Sequence, residues 1–501
     1  MGSGTVARGA TTPDRRREPR LVTTPKRRQT AKLAEIARSP LEPAYLGKPR
    51  HLHSIEERRD VGRALRAATP RRAQAGWTAT PDRADPVDLM LATEVGRDQR
   101  LLPIRHGRMA ASAFAHYRGS AGTMAYDLAK TASSGYTIQA CGDCHLLNFG
   151  AFATPERRVI FDINDFDETF PAPWEWDVKR LAASFVVASR ANRHKPADAR
   201  TAAWTLTRSY GQHMAELATR KALDVWYSYL DWEQLVENTE DAVLRKRRTA
   251  VLRKALERDA DAEFVKIGQV VDGTPRIKDA PPLIFHSNEL ANPEWSALIK
   301  ENLKRYRESL APERKVLFDR YELADLAVKV VGVGSVGTNC GVALLFASEG
   351  DALFLQVKEV KASVLEPYVG ASPFGSEGER VVFGQRLMQA ASDVFLGHIV
   401  DPRGFHYYVR QLRDVKIRPL VEIYSPSNMV DYARSCGVAL ARAHARSGDP
   451  AIIAGYIGKA PVIADAIADF AVAYADQNER DHAALLEAIR QGRVEAQFEE
   501  G

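Results

Sequence analysis

Asp143, His145, Asn148, Asp162, Asp165 and Asp167, side chains able to bind a cation or move a proton, crowd into residues 141–168, CGDCHLLNFGAFATPERRVIFDINDFDE. Carboxylates this dense repel one another unless a cation sits among them. The apolar run 159–161 in their midst demands burial, which sharpens that need. A metal ion, or a metal already bound to phosphate, is the cation that these oxygen ligands suit. Asp143 can orient or deprotonate an attacking hydroxyl. Asn148, five residues on, offers an amide oxygen to Mg²⁺. Asp165, just after a strand-like run, can bridge the same ion to phosphate oxygens. These are the three roles that phosphoryl transfer asks of a catalytic loop and a metal loop. Any one of these residues taken alone is a turn former, because Asp and Asn hydrogen-bond their own backbone.

A second group of residues handles phosphate. Gly332, Gly334, Ser335 and Gly337 fall in VKVVGVGSVGTNCGVALLF, between two apolar strand-like runs. A dinucleotide fold would need a helix after these glycines. A strand follows instead, so the pattern is that of a flap whose backbone N–H groups cover phosphates. Lys358 closes the next apolar run, where a phosphate-contacting lysine is expected. The helix that follows in this layout carries a glutamate that fixes the lysine; Glu379 is the choice and Glu377 the alternative. Gln411 and Leu412 end the strand whose backbone is expected to meet adenine.

Three further features have plainer readings. Cys141-x-x-Cys144-His145 has the form of a covalent haem attachment site. It sits inside an acidic loop with no export signal ahead of it, so no haem is expected. A zinc site would want a second Cys/His pair, and Cys340 and Cys436 stand apart. Arg118 either reaches phosphate or bridges carboxylates. His444 reads as a cation meeting a helix C-terminus.

These residues need elements to position them. Apolar spacing predicts short strands over 136–140 and 159–163 and a buried helix over 174–192. Helical spacing runs over most of 197–260 and again over 295–326. Residues 328–346 and 352–360 read as strands, 377–393 as a helix, 395–400 and 405–412 as strands, and the last 75 residues as helices.

The chain has 501 residues and a net charge of +6. Residues 1–50 carry 12 Lys/Arg against 4 Asp/Glu, a balance of +8, so the rest of the chain stands at −2. The excess sits in a Pro-, Thr- and Arg-rich arm of disordered composition. The arm is either a solvated tail or a binder of an anionic partner. Four cysteines in so long a chain, no apolar leader and no apolar run of about 18 residues predict a cytoplasmic protein without a membrane span.

The blocks RMAASAFAHYRGSAGTMAYDLA, CGDCHLLNFGAF, FDINDFDETFPAPWEWDVKRLAAS, KVVGVGSVGT, LFLQVKEVKASVL, RVVFGQRLMQAASD and YYVRQLRD resemble a bacterial domain-of-unknown-function family. The likeness runs over residues 95–475. The acidic block is also similar to the aminoglycoside-phosphotransferase and choline-kinase group, through its Gly-Asp loop with Asn five residues later and its Asp-Phe metal loop. That resemblance implies a catalytic Asp143, metal ligands Asn148 and Asp165, and a structural Asp177. It differs in order, since the stretch from the glycine loop to Lys358 begins about 190 residues after Asp143.

The expectation is therefore an α+β, two-lobed, protein-kinase-like fold in circularly permuted order. Residues 51–327 form a helical part with the catalytic and metal loops, 328–412 a β-rich nucleotide-binding part, and 413–501 helices that complete the first part. The expected ligands are ATP and Mg²⁺, with an unspecified phosphate acceptor. A metal-dependent hydrolase built on the carboxylates of 143–167, and a nucleotide-binding module without turnover, are the alternatives.

Overall fold

The computed structural model describes residues 1–2, 53–239, 241–256, 264, 266–281, 283–286, 293–329, 336–348, 350–412 and 415–498. The basic arm and the glycines Gly332 and Gly334, with Ser335, lie outside the described residues. The architecture is α+β, with helices and antiparallel sheets in one chain.

The larger body is helical. Helix α1 (Ile55–Ala68) begins at a Ser54 capping box, in which Ser54 and Glu57 satisfy each other's backbone N–H groups. Helix α2 (Ala113–Gly119) precedes strand β1 (Thr137–Ala140), strand β2 (Phe149–Ala153), strand β3 (Val159–Ile163) and strand β4 (Phe170–Pro173). Helix α3 (Trp174–Ala191) is buried on nearly every face, as its apolar composition requires. Helix α4 (Pro196–Leu217), strand β5 (Leu230–Asp231) and helix α5 (Ala242–Leu256) follow, then the hairpin of β6 (Gly268–Val271) and β7 (Thr274–Ile277).

The smaller body is a sheet of six strands. It contains β8 (Ile284–Phe285), β9 (Glu322–Lys329), β10 (Cys340–Phe346), β11 (Ala352–Glu359), β12 (Gly397–Val400) and β13 (His406–Gln411), in the spatial order β12-β13-β11-β10-β9-β8. Every pairing is antiparallel. Helix α6 (Pro293–Ser309) precedes β9, and helix α7 (Glu377–Met388) links β11 to β12. Period-two alternation sorts the side chains. Leu353, Leu355, Tyr407 and Val409 enter a core with Tyr306 and Phe395. The opposite face carries Gln356 and Lys358 on β11, directly across from Arg410 and Tyr408 on β13.

Strand β14 (Lys416–Ile417) then returns to the larger body and pairs with β2, giving the sheet β14-β2-β3-β5. Three closing helices, α8 (Pro426–Ser447), α9 (Pro450–Ile457) and α10 (Ala460–Arg490), share one core with α3 and α4. Ser425 caps α8 with Pro426 at its first turn. Among the described residues no single helix is long and apolar enough to cross a membrane.

Several elements depart from the sequence reading. Helix α7 stops at Met388, because Gln389 turns to an extended conformation and its amide donates to the Ile163 carbonyl at 2.6 Å. The stretch read as helical over 295–326 yields to strand β9 at Glu322. Strand β2 was not anticipated; its sequence FGAFA is buried on both faces and lacks alternation.

The turn after β1 depends on Gly142. Its φ is +83°, and a Cβ there would lie 2.2 Å from the Glu168 carbonyl oxygen. Gly142→Ala is expected to destabilise the protein by more than about 2 kcal/mol in chemical denaturation, since a left-handed residue and a backbone clash add.

Candidate active site

The acidic segment is a hairpin flanked by two loops, and one buried carboxylate anchors its first loop. Asp177, on the first turn of α3, accepts the backbone N–H groups of Cys141 at 2.8 Å and Gly142 at 3.0 Å. His444 of α8 approaches the same carboxylate at 3.1 Å, and Tyr210 of α4 holds the other ring nitrogen at 3.0 Å. His444 is therefore an internal strut between Asp177 and Tyr210 rather than a cap on the helix end.

One turn along α3, Arg180 reaches Asp143. Its Nε donates to Asp143 Oδ1 at 2.8 Å and its Nη2 donates to the same oxygen. The guanidinium lies 4.7 Å from the centre of the Tyr117 ring, and Tyr117 donates to the Arg180 carbonyl. The spacing from Asp177 to Arg180 puts both on the helix face under the loop, a signal readable in WEWDVKR that the sequence reading did not use. Arg118, also near, has its pKa lowered by burial, opposed by Asp143 and Glu422. His145 is buried 3.9 Å from Asp143 Oδ2, and burial lowers its imidazole to about 4. It is neutral at pH 7.

Asn148 donates from Nδ2 to the Asp143 carbonyl at 2.7 Å. That orientation leaves its Oδ1 outside the loop's own hydrogen bonds, as a metal-ligating amide requires. Asp165 Oδ1 accepts the Asp167 N–H at 3.3 Å and shapes the second loop. Asp162 is turned away from both. It is fully buried in an ion pair with Arg442 at 2.6 Å and belongs to the core rather than to a site.

The small sheet meets the second loop. Lys358 Nζ donates to Asp167 Oδ2, and the Tyr408 hydroxyl donates to Asp167 Oδ1 at 2.8 Å. Burial opposes the charge on Lys358, yet Asp167, Tyr408 and Asp165 raise its pKa well above the ordinary lysine range. Arg410 donates to Gln356 at 3.0 Å and to the Asn164 carbonyl at 3.3 Å, within the field of Asp165 and Asp167. Neither Tyr408 nor Arg410 was singled out from sequence. Their alternation with Tyr407 and Val409 on β13 marks them as one polar face.

The lysine-fixing glutamate is corrected. Glu379 is exposed and accepts the Gly375 N–H at 3.0 Å, while Glu377 pairs with Arg380 at 2.5 Å. Lys358 takes Asp167 instead. Helix α7 contributes Arg380, which is wholly buried and donates to the Asp167, Thr169 and Lys361 carbonyls. Gln411 ends β13 and Leu412 follows it, but their backbone N–H groups are spent on Asp393 and on the Phe354 carbonyl at 2.8 Å. Neither backbone N–H is left for a base. Gly337, the described end of the glycine loop, has φ +86° and accepts the Asp98 N–H at 2.8 Å, while Arg97 donates to the Val336 carbonyl at 2.8 Å.

Cys141 and Cys144 Sγ and an Asp177 oxygen lie within 4.8 Å of one another. Among the described residues this is the one trio of Cys, His, Asp or Glu ligands that close. Asp177 is already engaged by two amides and His444, and burial raises both thiols, Cys144 to about 11, so the trio reads as packing. Asp143, Asp165 and Asp167 do not form such a cluster.

Two outcomes follow from this geometry. Asp177→Ala strips the acceptor from two buried amides and His444, and is expected to cost about 3–5 kcal/mol in chemical denaturation. His145 has a folded-state pKa of about 4 against 6.5 unfolded. Its contribution is present above pH 6.5 and is lost as pH falls through about 4. His145→Gln is expected to remove roughly 2–4 kcal/mol of that acid sensitivity in denaturation curves at pH 4 and 7.

Residues 97–488 match a family described as an uncharacterised protein conserved in bacteria, DUF2252. No match was found among curated proteins or among solved structures. The matched stretch holds both loops around Asp143 and Asp165, the Lys358 strand and the closing helices, and on that match the chain belongs to the DUF2252 family.

Proposed function

We propose that this protein is an ATP- and Mg²⁺-dependent phosphotransferase of kinase-like type, acting on a small-molecule or protein hydroxyl, with its two lobes in circularly permuted order. The observation that carries the reading is the pairing of Lys358 with Asp167, 191 residues apart in the chain. A lysine strand beside a glycine-containing hairpin and an Asp loop after a strand pair are the two halves of a phosphoryl-transfer site. Lys358 and Asp167 lie far apart in the chain, and their contact supports reading the two segments as one site.

The roles then divide by environment. Asp143 is fixed by Arg180 with one oxygen left toward His145, and it would orient the acceptor hydroxyl. Asn148 Oδ1 and Asp165 would hold Mg²⁺, which when bound neutralises charge on the transferring phosphate. Lys358 uses one of three N–H donors on Asp167, leaving donors for phosphate oxygens. Arg410 adds positive charge on the same face. Gly337, whose carbonyl accepts the Asp98 N–H, is the described member of the glycine segment that this reading assigns to the phosphates.

Isothermal titration calorimetry with ATP tests this reading. Wild-type protein is expected to bind ATP in the presence of Mg²⁺, and Asp165→Ala to abolish the Mg²⁺-dependent component with the fold intact by circular dichroism. Unchanged binding in Asp165→Ala would overturn it.

A further inference from the structure

A cavity of about 90 Å³ opens beside the sheet β14-β2-β3-β5, under helix α5 and the start of α8. It has room for several water molecules, at ~10–15 Å³ per water, and is open to solvent on one side. Its floor is aromatic: Phe161, Trp232, Tyr424 and Tyr432. Phe161 stacks on Trp232 at 6.1 Å and meets Tyr432 edge-on at 5.9 Å. Its mouth carries Val243, Leu420 and Ile423, whose exposures are 65%, 57% and 57%. Large apolar side chains gathered in the open around a pocket mark a binding site rather than ordinary surface.

Among the described residues the charged side chains that line the cavity are Arg247, Arg248 and Arg418, all cationic. Glu422 lies between the mouth residues Leu420 and Ile423 and is outside the lining. Arg247 and Arg418 make no hydrogen bond or ion pair among the described residues. Three polar atoms in the lining lack partners: Trp232 Nε1, Arg248 Nε and Asn428 Oδ1. Trp232 is only 8% exposed, so its indole N–H is a buried donor without an acceptor. An apolar floor, a cationic rim and unspent donors together define the chemistry of the occupant.

We propose that this cavity binds a small amphipathic anion, with an aromatic or short acyl body on the Phe161–Trp232–Tyr432 floor and a carboxylate or phosphate head against Arg247 and Arg418. The site has a direct tie to the catalytic loop. Tyr432 donates from its hydroxyl to the Leu146 carbonyl at 2.7 Å and to the Phe149 carbonyl at 3.3 Å, on either side of Asn148. A body seated on Tyr432 therefore bears on the residues that position Asn148. Nucleotide binding is not required for this site to exist, so the two proposals stand or fall separately.

Octanoate, octylamine and octanol share a chain and differ in head group. Each is titrated into the full-length protein, with intrinsic tryptophan fluorescence and calorimetry as readouts. Octanoate is expected to bind at least tenfold more tightly than the other two. Arg247→Ala/Arg418→Ala is expected to weaken octanoate at least tenfold and leave octanol unchanged, while Arg247→Lys/Arg418→Lys retains the preference. Trp232→Phe is expected to lose most of the fluorescence response. Equal binding of all three probes, no octanoate binding, or octanoate affinity unchanged in the double alanine variant would overturn the proposal.

Discussion

A lysine charge inside the protein organises the contact between the six-stranded sheet and the acidic segment. Lys358 is 6% exposed, and an ammonium group removed from water is tolerated only when a carboxylate and further polar groups surround it. Its own sheet supplies Tyr408 but no acid. The acid comes from Asp167, at the far end of the hairpin that begins with the Asp143 loop. Once that pair forms, its neighbours fall into register. Arg380 binds the Asp167 and Thr169 carbonyls, and Glu168 accepts the Val364 N–H at 2.8 Å. Burial raises the Glu168 carboxyl to about 7. The small sheet is thus tied to the acidic segment by a run of polar contacts on one short stretch of chain.

A second carboxylate sets the other half of the site. Asp177 holds the amides of Cys141 and Gly142, and this fixes the backbone from which Asp143 projects. The two candidate acids consequently live in different fields. Asp143 faces Arg180, Arg118 and a neutral His145, all from the helical body. Asp165 faces Arg410 and Lys358, both from the sheet. Asp143 and Asp165 thus sit among separate sets of cations.

Much of this was legible in the residues, and the exceptions have physical causes. The bounds of β3 and the start of α3 follow from a short apolar run and a dense apolar helix. Strand β11, which carries Lys358, lies where the apolar run 352–360 puts it, whereas the stretch read as β-rich over 328–346 is split between the end of β9 and β10. Asp162 looked like one more acid in a cluster, but Arg442, 280 positions away, draws it into the core, and no local pattern announces such a partner. Glu379 was chosen by analogy with a helix that follows a lysine strand. Its helix instead buries Arg380 toward the seam and leaves Glu379 in solvent, because the lysine already had an acid from the other body. Arg180 and Arg410 are long-range partners whose only sequence trace is position on a helix or strand face. The aromatic cavity drew residues from β2, β3, α5, β14 and α8, so no segment of sequence could display it.

A thermal-shift series with ATP, with and without Mg²⁺, addresses the central claim most directly. If Lys358 and the Asp165–Asp167 loop form a nucleotide site, ATP with Mg²⁺ at 100 times its dissociation constant stabilises the protein by about 2.7 kcal/mol, and ATP alone stabilises it much less. An unfolding transition that no nucleoside triphosphate moves, with or without Mg²⁺, would contradict the account.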